Sequence, residues 1–359
     1  MCIYMNICII GQYPPQVGGI ATYTNSLREE LIKDGHNVYV LTYPQNCSRN
    51  DNVFEANVVN IPVIRGLSFI LSSYRKLIHI IDEYDIDIVH SNYILPPGLV
   101  AALTKRKKDV KIIVSVHGSD INILPNNKIL KPIIKYTLNH ADNIYFVSKQ
   151  LQKKADKLNV KDLNKKSYIT PNTVNTNKFN PTNTEHKLRQ KYKKPIVMFI
   201  GNLVKQKGLT YLLDAKINAK SDYVLLIYGD GKEKTTLTKQ ITQHNIKDVY
   251  LMGKTTTPEK IIPEADIMVL PSVSEGASIV ALESMSCAKA FISTDVGNIK
   301  DIIKNYENGV IVPAKDSQEL THAIDKLVND KELRIKIGEN ARRTIIEEYS
   351  KMNIPYLNE

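Results

Sequence analysis

Short runs of β-branched and aliphatic residues alternate along this chain with stretches whose apolar positions recur every three or four residues. In the first half, Ile7–Ile10, Asn37–Leu41, Ile86–His90, Lys111–Val116 and Asn143–Val147 predict strands. Between the first two, Ile20, Tyr23, Leu27 and Leu31 mark one face of a helix that Gly35 ends. After Lys193-Lys194-Pro195 the pattern restarts with Ile196–Ile200, Tyr223–Tyr228, Val249–Met252, Ile267–Leu270, Phe291–Ser293 and Val310–Val312. Runs apolar on both faces, with helices between them, predict two parallel, doubly wound α/β sheets.

A chain of 359 residues also exceeds what one core ordinarily covers. The expected organisation is a first domain over residues 1–178, a linker over 179–194 and a second domain over 195–345. The linker falls in the polar stretch Asn172–Lys194, and residues 346–359 are expected to cross back onto the first domain after a helix over Asp330–Tyr349. Met1 to Ile10 is short, lacks basic residues and runs into a glycine turn, so it reads as a first strand rather than a leader. No run of about eighteen apolar residues predicts a membrane span.

Charge and cysteine content narrow the picture further. The net charge of +11 reflects either a composition rich in lysine, asparagine and isoleucine or an attraction to anionic surfaces. The cluster Lys105, Arg106, Lys107, Lys108 and Lys111 supports the second reading. So does the segment Ser68–Ile81, where Phe69, Ile70, Tyr74, Leu77 and Ile81 offer one face beside Arg75 and Lys76 for an anionic membrane. Nucleic acid is not expected, because no binding motif or aromatic platform accompanies the charge. Cys2, Cys8, Cys47 and Cys287 lack metal or disulfide spacing; Cys8 and Cys287 read as core residues of a cytoplasmic protein.

Open sheets of this class bind ligands beyond the carboxyl ends of their strands, and the candidate residues follow strands. Gly18-Gly19 precede a helix and either admit close approach of a phosphate or serve a plain turn. His117, after the Lys111–Val116 strand, is placed to bond a substrate hydroxyl. Lys207 lies in the turn Gly201 to Gly208 after the strand Ile196–Ile200, where it can neutralise a leaving diphosphate. Most telling is Pro271 to Glu283: Glu275 sits in a turn after a buried strand and Glu283 inside the following helix. The N–H groups of Ala277, Ser278 and Ile279 between them are expected to cradle an anion. Asp85-Ile86-Asp87 enters a strand, the wrong end of a sheet for a metal–substrate site, and no other cluster has ligand spacing, so neither metal nor cofactor is expected. P-loop and Gly-x-Ser-x-Gly motifs are missing.

Taken in order, these segments resemble the retaining glycosyltransferase family four. The resemblance runs from the Pro15–Gly19 loop through Ile88-Val89-His90-Ser91, His117-Gly118-Ser119-Asp120, Pro171-Asn172-Thr173 and Gly201–Gly208 to Glu275-Gly276, Leu282-Glu283-Ser284-Met285 and Thr294-Asp295-Val296-Gly297. It implies the GT-B architecture, two Rossmann-like domains facing each other across a cleft. By the same resemblance Glu275 contacts the donor sugar, Glu283 the nucleotide ribose, Lys207 the diphosphate and His117 the sugar's 6-position, while Gly18-Gly19 close over the diphosphate. Asn202 stands where many members carry an arginine, and Ala277-Ser278 replaces a common Phe-Gly pair.

The activity so implied is metal-independent, retaining transfer of a hexose-type sugar from a UDP- or GDP-linked donor to a hydroxyl of a glycan or lipid-linked glycan. The alternatives are a nucleotide-sugar 2-epimerase and an inactive sugar-nucleotide-binding subunit. The expected setting is envelope polysaccharide assembly, in the cytoplasm or peripherally on the inner membrane face.

Overall fold

The computed structural model describes residues 4–16, 18–44, 52–59, 61 and 64–357. Cys2 and Cys47 therefore lie outside the described residues. The chain divides into two compact units, Met1–Asn172 with Met352–Glu359, and Thr173–Lys351.

Unit 1 is built on seven parallel strands: β1 Asn6–Ile10, β2 Asn37–Thr42, β3 Val53–Glu55, β4 Ile88–Asn92, β5 Lys111–Val116, β6 Asn143–Phe146 and β7 Ser167–Ile169. Their order in the sheet is β3-β2-β1-β4-β5-β6-β7. Chain order therefore reverses between β1 and β4, where Ile7 pairs with Val38 on one side and Ile88 on the other. Ile7, Cys8, Ile9 and Ile10 are fully buried, as an apolar run covered on both faces must be.

Helix α1 (Gly19–Lys33) turns Ala21, Thr24, Leu27 and Leu31 inward at three- and four-residue spacing, with Tyr23 beside them. Helix α2 (Ile64–Glu83) does the same with Phe69, Leu77, Ile80 and Ile81. This corrects the expected membrane face of Ser68–Ile81, because Phe69, Leu77 and Ile81 face the core. The apolar side chains that α2 leaves to solvent are Ile64, Leu67 and Leu71, at 46, 61 and 70% exposure.

Residues after Lys351 complete unit 1. Ile354 and Tyr356 join the core cluster that includes Ile7, Ile9, Tyr23 and Leu27. The Tyr356 N–H donates to the Tyr145 hydroxyl at 3.0 Å, and its ring stacks near Tyr145 and edge-on to His90. His90 is fully buried, with Nε2 2.7 Å from the Ser115 hydroxyl, and burial lowers its pKa to about 3.

Unit 2 repeats the plan with six parallel strands: β8 Ile196–Ile200, β9 Val224–Tyr228, β10 Val249–Gly253, β11 Ile267–Leu270, β12 Ala290–Thr294 and β13 Val310–Val312. Their order is β10-β9-β8-β11-β12-β13, so chain order reverses between β8 and β11. The helices that bear on the site are α3 (Leu209–Asn218), α4 (Ile279–Ser286) and α5 (Lys331–Glu348). Phe179, within the stretch read as linker, is 5% exposed in the core of this unit, where the Ser286 hydroxyl donates to its carbonyl. Cys8 and Cys287 are buried free thiols, each pushed up to about 12 by burial. Among the described residues, no helix is long and apolar enough to cross a membrane.

Candidate functional site

In a doubly wound sheet, the loops leaving the two strands at the reversal diverge to opposite faces and open a crevice at their carboxyl ends. In unit 2 those loops are Gly201–Gly208 after β8 and Pro271–Ser278 after β11. They are tied together residue by residue. The Val273 N–H donates to the Gln206 carbonyl at 2.8 Å, and the Gln206 carboxamide donates to the Ser274 carbonyl at 2.9 Å. Lys207 Nζ then meets Glu275 Oε1 at 2.6 Å. The Ser272 hydroxyl donates to the same carboxylate oxygen at 2.6 Å, and Thr294 Oγ1, at the end of β12, donates to the Ser272 carbonyl.

Two glycines make this contact possible. Gly208 has φ +62°, and a Cβ there would lie 2.1 Å from the Pro271 carbonyl oxygen. Gly297 has φ +64°, and a Cβ would lie 2.8 Å from the Gly276 carbonyl oxygen and 3.1 Å from the Glu275 Cβ. The backbone around Glu275 is thus clasped from both sides, and its carboxylate is fixed with 12% of the side chain exposed.

Helix α4 begins at Ile279 with Ser278 as its N-cap; the Ser278 hydroxyl accepts from the Ala281 N–H at 3.3 Å. Ala277 and Ser278 lead directly into the first turn, whose Ala281 N–H is taken by the Ser278 hydroxyl. Glu283 lies about one turn along. It keeps partial contact with solvent, yet burial around its carboxyl, reinforced by Glu259 and opposed by Lys178, raises its pKa to about 8. Asn202 is exposed, directly after the β8 turn.

In unit 1, His117 follows β5. Its Nε2 is buried without a partner among the described residues, and its ring meets Tyr23 edge-on at 4.6 Å. Burial lowers its pKa to about 4, so the imidazole is neutral near pH 7. Asp120, fully buried, accepts from the N–H groups of His117 and Gly118 at 3.2 and 2.8 Å and fixes the turn that presents the histidine. Gly18 and Gly19 stand at the start of α1, and nothing lies within 4 Å of where a Gly18 Cβ would be.

Within unit 2 the structure brings Lys207 and Glu275 together, and Glu275 lies just ahead of Ser278, the N-cap of α4. Within unit 1 it sets His117 and Gly18-Gly19 at carboxyl ends of the sheet. Ser272, Gln206, Thr294 and Asp120 lie within the quoted motifs, but sequence reasoning gave them no role, since only their hydrogen bonds reveal it. Among the described residues there is no cluster of His, Cys, Asp and Glu suited to a metal.

Residues 17–178 match the model of Glycosyltransferase Family 4, and residues 182–344 match that of Glycosyl transferases group 1. An uncharacterized glycosyltransferase of Methanocaldococcus jannaschii is 31% identical over 95% of this chain and 93% of its own. Sucrose-phosphate synthase from Thermosynechococcus elongatus shares the fold, with a TM-score of 0.84 at 19% identity over 96% of this chain and 95% of that one. So does the Anabaena protein HepE in complex with UDP-glucose, with a TM-score of 0.79 at 17% identity over 96% of each chain. With two Rossmann-like units in the GT-B pattern and both family models matched in turn, the chain belongs to the group 1, family 4 glycosyltransferases.

Proposed function

We propose that this glycosyltransferase moves a hexose-type sugar from a UDP- or GDP-linked donor to a hydroxyl of a glycan or lipid-linked glycan, with retention and without a metal. The observation that carries the reading is the Lys207–Glu275 pair, held at 2.6 Å where the unit 2 sheet reverses, in the loop that leads into α4. Fracture of a glycosyl–phosphate bond puts negative charge on the diphosphate and positive charge on the sugar ring. Lys207 and the N-terminal amides of α4 are suited to the first, and Glu275 to the second. HepE holds UDP-glucose on a similar fold, which favours UDP as the first donor to try.

Lys207 offsets the charge of Glu275. An arriving diphosphate draws the lysine toward itself and leaves Glu275 to accept hydrogen bonds from sugar hydroxyls. Glu283 takes the ribose hydroxyls, and neutral His117 bonds the sugar without adding charge. In this reading the departing phosphate oxygen accepts the acceptor's proton on the same face, which retains the anomeric configuration. The setting is envelope polysaccharide assembly on the inner membrane face.

A thermal-shift screen against UDP-, GDP- and ADP-sugars tests donor use, since a cognate ligand raises the melting temperature with its occupancy. Analysis of the transferred anomer then tests retention. Stabilisation by one sugar nucleotide, and α-linked product from an α-linked donor, are expected. Loss of neither donor binding nor turnover in Glu275→Gln would overturn the assignment of the site.

A further inference from the structure

The reversal point of unit 1 holds an open cavity of about 510 Å³, within the range of small-molecule sites, roughly 300–1,000 Å³. Its described lining is Gln12, Gln16, Tyr43, Arg65, Gly66 and Pro96. Gln12 follows β1, Tyr43 follows β2 and Pro96 follows β4, so the cavity lies at the carboxyl ends of the strands flanking the reversal. Arg65 and Gly66 come from the start of α2.

We propose that this cavity binds the acceptor through an anionic group, a carboxylate or phosphate on a sugar-sized molecule, with Arg65 as its counter-charge. Arg65 is exposed and forms no ion pair among the described residues. Its guanidinium carbon lies over the Tyr43 ring, 5.6 Å from the centroid, a contact of the cation with the ring that consumes no carboxylate partner. Tyr43 is itself immobilised, stacked on buried Phe69 at 4.0 Å, so the arginine rests on a fixed platform. The first turn of α2 carries no acidic side chain to offset the cation, although a positive charge is disfavoured at that end of a helix. The Gln12 side chain adds an amide able to bond both an anion and sugar hydroxyls.

The inference rests on the glycosyltransferase reading for the word acceptor, and the test separates the two. Binding to the whole chain is measured by titration calorimetry with methyl glucuronide against methyl glucoside and glycerol 3-phosphate against glycerol, with and without UDP. Phosphatidylglycerol vesicles are compared with phosphatidylcholine vesicles in a parallel arm. The expected result is an anion preference of about tenfold, the size of one charge-assisted contact. It disappears in Arg65→Gln, survives in part in Arg65→Lys and is untouched in Arg75→Gln, an exposed arginine of α2 that does not line the cavity. Preference for the soluble anions assigns the group to a free glycan. Preference confined to anionic vesicles, and lost in Arg65→Gln, assigns it to a lipid-borne phosphate.

Equal binding of charged and neutral probes in every arm, or a preference that survives Arg65→Gln, would overturn the proposal. So would displacement of the probe by UDP, which would make the cavity part of the donor site. Failure of every sugar nucleotide to stabilise the chain while Arg65-dependent binding persists would instead refute the function and leave the anion site standing.

Discussion

The two sheets reverse their chain order in the same way, yet their reversal points are furnished differently. In unit 2 the loops after β8 and β11 are zipped by Val273, Gln206, Ser272 and the Lys207–Glu275 pair, and Gly208 is pressed against the Pro271 carbonyl. In unit 1 the described residues Gln12, Tyr43 and Pro96, which follow β1, β2 and β4, line a cavity, and the arginine at its edge rests on an aromatic ring rather than a carboxylate. A site for a ligand of fixed chemistry profits from groups locked in advance, because nothing need be reorganised as charge develops. A site whose occupant differs from one relative to the next is served by space and a few adaptable polar groups. One topology thus carries a rigid half and an adaptable half.

The sharpest way to break this comparison is to exchange which half is damaged. Lys207→Ala is expected to lower kcat/KM by on the order of 10²–10³ for every acceptor, measured by steady-state kinetics. Arg65→Gln is expected to lower it only for anionic acceptors, and an equal loss with neutral ones would erase the distinction.

A second pair addresses crowding. Gly208→Ala places a methyl 2.1 Å from a carbonyl oxygen at positive φ, and chemical denaturation should show a loss of roughly 1–3 kcal/mol. Gly66→Ala, inside α2 with nothing within 4 Å of the new Cβ, should instead gain about 0.5–1 kcal/mol.

A third pair concerns protons, and its sign differs between the halves. Glu283, raised to about 8, binds a proton in the folded chain that the unfolded chain has released, so its contribution to stability falls as pH rises from about 4.5 to 8. His117, lowered to about 4, stays neutral while the unfolded chain is protonated, so its contribution grows as pH rises from about 4 to 6.5. Melting temperature against pH should therefore lose a downward slope in Glu283→Gln and an upward slope in His117→Gln. Curves parallel to wild type would show that neither group is perturbed.

Much of this was legible in the residues alone. Lys111–Val116, Ile196–Ile200, Ile267–Leu270 and Val310–Val312 are strands with the bounds their apolar runs predict. The runs missed were Val53–Glu55 and Ser167–Ile169, three-residue edge strands of intermediate burial, where neither length nor continuous apolarity marks a strand. Lys207 and Glu275 were each readable because a strand precedes them, but their contact was not, since 68 positions separate them and only the sheet order makes them neighbours. The misread face of α2 has a plain cause. Phe69, Leu77 and Ile81 fit a membrane stripe and a core stripe equally well until the sheet beneath is known. Arg65 drew no notice for the same reason: its chemistry depends on Tyr43, which arrives from another strand.

The C-terminal residues set a schedule for the molecule's birth. Ile354 and Tyr356 complete a core begun by Ile7 and Ile9, but a ribosome releases them only after all of unit 2 has been made. The first half of the chain must therefore wait with part of its interior uncovered while the second half folds. A nascent chain halted before Met352 should be a client for chaperones, whereas the finished chain can close the core of unit 1.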